Sequence, residues 1–155
     1  MPSSAIEIRI ADALASSMRA ATFSGPLTCR SAARRFVPET EPITAGVLQV
    51  SVVPGQVEVT NVSRGADLFD VEIHVVMSKR FNDDAEIDDL IELRTEIVDA
   101  IRSAKLPAAT PAMPDGVQWL AISNITTFDR DAMAGGRVFL ADVAVQYRIS
   151  QGKLP

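Results

Sequence analysis

Phe69-Asp70-Val71-Glu72-Ile73-His74-Val75-Val76-Met77 decides the fold. Apolar and mostly polar residues alternate along it, the period of a strand with one face buried. After Ser78-Lys79-Arg80-Phe81 the period changes. Ile87, Leu90, Ile91, Ile97, Val98 and Ile101 recur at three- and four-residue spacings, the stripe of an amphipathic helix. Asp84, Glu86, Asp88, Asp89, Glu92, Glu96 and Asp99 take the other face. The spacing predicts a helix over 83–105, its carboxylates at the positive end of the dipole and Arg102 and Lys105 at the negative end. Pro107 closes it. The strand and helix bring no catalytic cluster with them, which favours assembly over chemistry.

Upstream, Ser4-Ala5-Ile6-Glu7 has the capping-box pattern, and Ile6, Ile10, Leu14 and Met18 follow at four-residue steps. They predict a helix over 4–21 that stops before Ser24-Gly25-Pro26. Thr28 to Val37 reads as extended, with Arg30, Arg34 and Arg35 keeping it polar. Val47 to Val53 reads as a strand with Leu48, Val50 and Val52 on one face, ended by Pro54-Gly55. Val57-Glu58-Val59-Thr60 is a further short strand. Downstream, the Pro- and Ala-rich run from Pro107 to Gly116 reads as an exposed connector. Strands at Val117–Phe128 and Val138–Ile149 complete the chain, the second with Phe139, Ala141, Val143, Val145, Tyr147 and Ile149 facing one way. The expectation is one α+β domain over residues 1–155, with two amphipathic helices packed on one face of a mainly antiparallel sheet.

Composition narrows the function. At 47% hydrophobic residues the chain is too apolar to be mainly disordered. A net charge of −5 argues against gripping nucleic acid by its phosphates. Cys29 is the lone cysteine, which excludes an internal disulfide and fits a reducing compartment. No basic segment followed by an apolar run opens the chain and no stretch is apolar enough for a membrane span, so cytosolic synthesis is expected.

The chemistry-bearing residues are isolated. His74 is the only histidine and lies on the polar side of its strand, where a solvent- or interface-facing role outweighs that of a general base. Cys29 has no signature of an activated thiol around it. Asp83-Asp84 and Asp88-Asp89 lack the alternating ligands and central glycine of a calcium loop, and on a helix they splay outward. Neither Gly25 nor Gly135-Gly136 sits in a phosphate-binding spacing. Arg34-Arg35 is too small a cluster for nucleic acid, while Trp119 suits the core, a sheet face or an interface. No enzymatic activity, metal or cofactor is expected. Two segments have no evident folding role: the Arg64 loop and the run Asp129-Arg130-Asp131-Ala132-Met133-Ala134-Gly135-Gly136 between the last two strands, longer than a tight hairpin needs.

In order, the chain is helix, several strands, a long strand running into an acidic helix, and two final strands. With Ile6, Ile10 and Leu14 in the opening helix, Arg35-Phe36-Val37-Pro38, Val50-Ser51-Val52-Val53-Pro54, Ser63-Arg64 and Phe139 to Tyr147, it resembles the tail terminator (tail-completion) proteins of long-tailed bacteriophages. The resemblance spans nearly the whole chain. It implies a structural subunit of the virion, made in the host cytoplasm, that forms a ring, usually a hexamer, at the head-proximal end of the tail tube. The ring ends tube polymerisation and offers a surface for head joining. The implied partners are further copies of the chain, the tail tube protein and the head–tail connector protein, with no membrane and no sequence-specific nucleic acid. Arg64, Asp129, Arg130 and Asp131 become the candidate ring contacts. The alternatives are an adaptor ring of head completion and, from another class, a small ligand-binding α/β domain.

Overall fold

The structure, a computed structural model, describes residues 5–38, 47–126 and 137–152. Seven elements appear in the order α1 (Ile6–Ala20), β1 (Ala33–Arg34), β2 (Gln49–Ser63), β3 (Ala66–Arg80), α2 (Asp84–Arg102), β4 (Gln118–Thr126) and β5 (Val138–Gly152). The strands form one mixed sheet in the order β1-β2-β3-β5-β4. Among the described residues only the β1–β2 pair is parallel; β2–β3, β3–β5 and β4–β5 are antiparallel. The architecture is α+β.

Alternation in the central strands places the core. Val71, Ile73, Val75 and Met77 of β3 bury the same face as Val50 and Val52 of β2 and the six residues from Phe139 to Ile149 at alternate positions of β5. Ile10, Leu14 and Met18 of α1 and Leu90, Leu93, Ile97 and Ile101 of α2 join them in a single cluster, so both helices cover one face. α1 lies against β1, β2 and β3, and α2 against β4 and β5. The stripe read from the sequence omits Leu93, which is buried, and includes Ile87 and Ile91, which are only half-buried.

The helix ends follow their local chemistry. The cap of α1 is Ala5, which makes no side-chain cap; its carbonyl accepts from Ile8 and Arg9. The expected cap at Ser4 lies outside the described residues. A side-chain cap does form at α2, where Asp83 accepts from the Glu86 amide at 3.1 Å and the Glu86 carboxylate accepts from the Asn82 amide at 3.3 Å. Glu86 also takes an ion pair from the buried Lys79 at 3.0 Å, fastening the end of β3 to the first turn of α2. At the other end α2 stops at Arg102, short of Lys105, because Ala104 adopts φ 52° and the Lys105 amide turns back to Ala100. That is a helix stop usually made with glycine.

Two departures concern the strands. Pro54-Gly55 does not end β2: the register shifts between Pro54 and Val57, and pairing with β3 resumes and continues to Ser63. A bulge absorbs the proline's missing N–H without ending the strand. A Cβ on Gly55 would lie 3.0 Å from the Glu72 carbonyl oxygen and 3.1 Å from the His74 ring, so a side chain here would have to displace its neighbours. By contrast, the extended reading of Thr28–Val37 shrinks to the two residues of β1. Arg34 binds Asp12 of α1 at 2.6 Å and Arg19 donates to the Ala32 carbonyl, so side-chain bonds hold this segment together with its short pairing to β2.

The run after α2 is better anchored than its composition suggests. Leu106 and Met113 pack on the core and Pro114 is buried. The Ser16 hydroxyl reaches the Pro111 carbonyl at 2.7 Å.

Candidate interaction surfaces

On the face of the sheet opposite the helices, side chains pair across strands. Arg148 of β5 holds Asp70 of β3 through two hydrogen bonds of 2.7 and 2.9 Å. That bond lowers the Asp70 pKa from its ordinary value. Nearer the middle, His74 stands between two carboxylates, its Nε2 2.7 Å from Glu72 and its Nδ1 3.0 Å from Asp142. Partial burial alone lowers the imidazole pKa, but the bonds to Asp142 and Glu72 and their charges outweigh it and leave it raised. An imidazolium donating from both nitrogens suits this geometry. The polar position read for His74 is therefore correct, and its surroundings are those of an ion-paired strand residue. Glu72 shares the sequence alternation with His74, whereas Asp142 reaches it through the β3–β5 register, which no local pattern reveals.

Cys29 is buried, and burial pushes its thiol up to about 12. A thiol held so high is almost wholly protonated near neutrality. Among the described residues no group of three or more His, Cys, Asp or Glu side chains is placed to hold a metal, and no helix is long and apolar enough to cross a membrane. The acidic face of α2 is not uniformly solvated. Glu86 is engaged by Lys79, and Glu96 accepts from both the amide and the hydroxyl of Ser24. Arg35 donates to the Val50 carbonyl and to Ser51, each at 3.2 Å, so with Arg34 on Asp12 the arginine pair serves the fold.

The exposed apolar residues lie toward the sheet's two edges. Beside β1, Phe36 and Val37 are 69% and 78% exposed, with the Arg34 guanidinium 5.1 Å from the Phe36 ring centroid. In the outer half of β2, Val59 and Val62 are 58% and 63% exposed. At the other edge, Trp119, Leu120 and Ile125 of β4 reach solvent. Trp119 therefore belongs to a sheet edge and not to the core. It also lines an apolar cavity of about 430 Å³ between α1, the end of α2 and the 104–113 segment, with Leu14, Ile101, Leu106, Met113 and Tyr147 among the other walls. Arg64 is exposed in the turn joining β2 and β3. Asp129, Arg130 and Asp131 lie outside the described residues. Sequence reading passed over Phe36, Val37, Val59 and Val62 as surfaces, although two adjacent apolar residues before Pro38 and an alternating run after a Pro-Gly pair were visible signals.

No protein-family model matches the chain, and no curated protein matches it.

Proposed function

We propose that this chain is a structural subunit that assembles into a closed ring, the ring that terminates the tail tube of a long-tailed bacteriophage and presents a surface for head joining. The observation that carries it is the distribution of exposed apolar residues: one group at the β1 and β2 side of the sheet and another on β4 at the opposite edge. A ring needs two different patches on each subunit, placed so that one meets the other on the next copy. Unpaired strand edges and exposed apolar side chains supply such patches. The element order, with β3 running into the acidic α2, is the order on which the resemblance to tail terminators rests. Arg64, at the tip of the long β2–β3 hairpin, is the proposed polar contact on that side, and Asp129, Arg130 and Asp131 stay proposed contacts from the sequence.

The reading requires no reaction, and the protonated Cys29 and doubly paired His74 suit that. Partners follow from it: further copies of this chain, tail tube subunits and the connector. An adaptor ring of the head–tail joint would use the same patches and differ in its partner. The ligand-binding alternative has a specific observation in its favour, the apolar cavity, yet that cavity lacks the charged groups that would orient a polar ligand.

The test is tube growth. Added at substoichiometric amounts to polymerising tail tube protein, the chain should shorten the tubes and mark one end in electron micrographs. Unchanged tube lengths, with binding instead to a portal ring, would transfer the assignment to the adaptor.

A further inference from the structure

We propose that the cavity beside Trp119 is a binding site for a neutral, mainly hydrocarbon small molecule carrying one hydroxyl or carbonyl oxygen, which the Tyr147 hydroxyl recognises. The site lies within one subunit and does not depend on ring formation. Tyr147 is the observation that carries it. The residue is 5% exposed and stands in the cavity wall, and its hydroxyl makes no hydrogen bond among the described residues. Nor is the oxygen sealed inside the protein, so it can be reached from the cavity. Burial alone acts on the phenol and raises its pKa, so it keeps its proton and stays a donor. Buried hydroxyls usually have partners, because an unmet one forfeits its hydration without return. One that opens on an apolar cavity is placed to meet the single oxygen of a ligand.

The walls fix the rest of the ligand's chemistry. Among the described residues no charged side chain lines the cavity, so an ion entering it would lose its hydration and find no counter-charge. The other hydroxyl in the wall is that of Ser17 on α1, also without a hydrogen bond among the described residues. Trp119 and Tyr147 are direct partners in the β4–β5 register, which puts two aromatic rings side by side on the helix-facing side of the sheet. Such rings favour a flat apolar body against them. The volume of about 430 Å³ is nearly three times the roughly 150 Å³ that takes up a benzene molecule, room enough for two joined rings. The site is also preformed. Leu14 and Ile101 are buried beneath it, and Leu106 and Met113 pack on the core. The bond from Ser16 to the Pro111 carbonyl ties the covering segment to α1. Exposed Ala104, Ala108 and Ala112 line the wall on that side, and residues so small leave an entrance open.

The experiment reads Trp119, the only tryptophan of the chain, whose emission reports on the wall it belongs to. Three bicyclic probes of one shape are titrated into the full-length protein: indane, 1-indanol and indane-1-carboxylate. 1-Indanol should shift the emission saturably. Indane should bind about tenfold more weakly for want of the hydrogen bond, and the carboxylate about 30-fold or more weakly because of its charge. Tyr147→Phe deletes a hydroxyl that bonds nothing among the described residues, so it should melt like the wild type and bind indane unchanged. It should bind 1-indanol about tenfold more weakly. Ala112→Leu, at an exposed part of the wall, should weaken both neutral probes, and with the preference for 1-indanol over indane it decides the matter if Tyr147→Phe fails to fold. The site is overturned by no saturable shift with either neutral probe, by 1-indanol binding unchanged in a folded Tyr147→Phe, or by carboxylate binding as tight as that of 1-indanol. The ring reading is decided separately, by tube shortening.

Discussion

The inner and outer halves of the β2–β3 hairpin are built from the same kinds of residue and have opposite surroundings. From Gln49 to Pro54, paired with Ile73 to Ser78, the side chains of Val50, Val52, Ile73, Val75 and Met77 are sealed in the core beneath the helices. From Val57 to Ser63, paired with Ala66 to Val71, the hairpin continues for as many rungs; Val71 is still buried and Val57 and Phe69 pack against the core, but Val59 and Val62 face water. Helix cover makes the difference. The buried apolar residues of the inner half stabilise the monomer; Val59 and Val62 of the outer half contribute little to it and are available to a neighbour.

The comparison breaks most visibly at Ile73, which is wholly buried in the inner half. Ile73→Asp should remove several kcal/mol, since an unpaired carboxylate enters the core, and thermal melts should find the variant largely unfolded. Ile97→Asp on α2 should do the same. Wild-type melting of either would mean that the core face is misassigned.

The boundary between the halves is Gly55. Gly55→Val should cost about 1–3 kcal/mol, because its side chain meets the Glu72 backbone and the His74 ring. Urea titration would measure it, and an unchanged midpoint would mean that the bulge has room.

A smaller effect is expected at His74, on the face of the inner half away from the helices. Its folded pKa is raised, so its stabilising contribution is complete below the unfolded value of about 6.5 and is lost as pH rises through the higher folded value. The stability difference between wild type and His74→Gln should therefore shrink as the buffer moves from mildly acidic to alkaline. A difference independent of pH would mean that Glu72 and Asp142 do not hold a charged imidazole.

Smallest for the monomer are Val59→Ser and Val62→Ser in the outer half, each within about 0.5 kcal/mol of wild type. Their consequence should fall on assembly, read as reduced association at unchanged melting temperature. Melting lowered by several degrees would place these residues in a folding role.

Much of the framework was legible because the deciding signals are periodic. The alternation around Ile73 and along Phe139–Ile149 placed one sheet face, and the stripes through Ile10 and Ile97 placed the helices that cover it. Pro54-Gly55 misled because proline and glycine punctuate loops and bulges alike, and only the partner strand β3 distinguishes them. Thr28–Val37 misled because only Ala33 and Arg34 pair with β2, while side-chain bonds from Arg34 to α1 and from Arg35 to β2 hold the rest. The surfaces were harder to read. Exposure of Phe36 or Val59 depends on which elements fail to cover them, and the cavity beside Trp119 is enclosed by segments far apart in sequence.

Native mass spectrometry of the wild-type chain, alone and with tail tube protein, tests the central claim most directly. The account predicts one closed oligomer, expected at six copies, that remains intact on the tube end. A chain that stays monomeric in both conditions, with tubes growing unchecked, would contradict it.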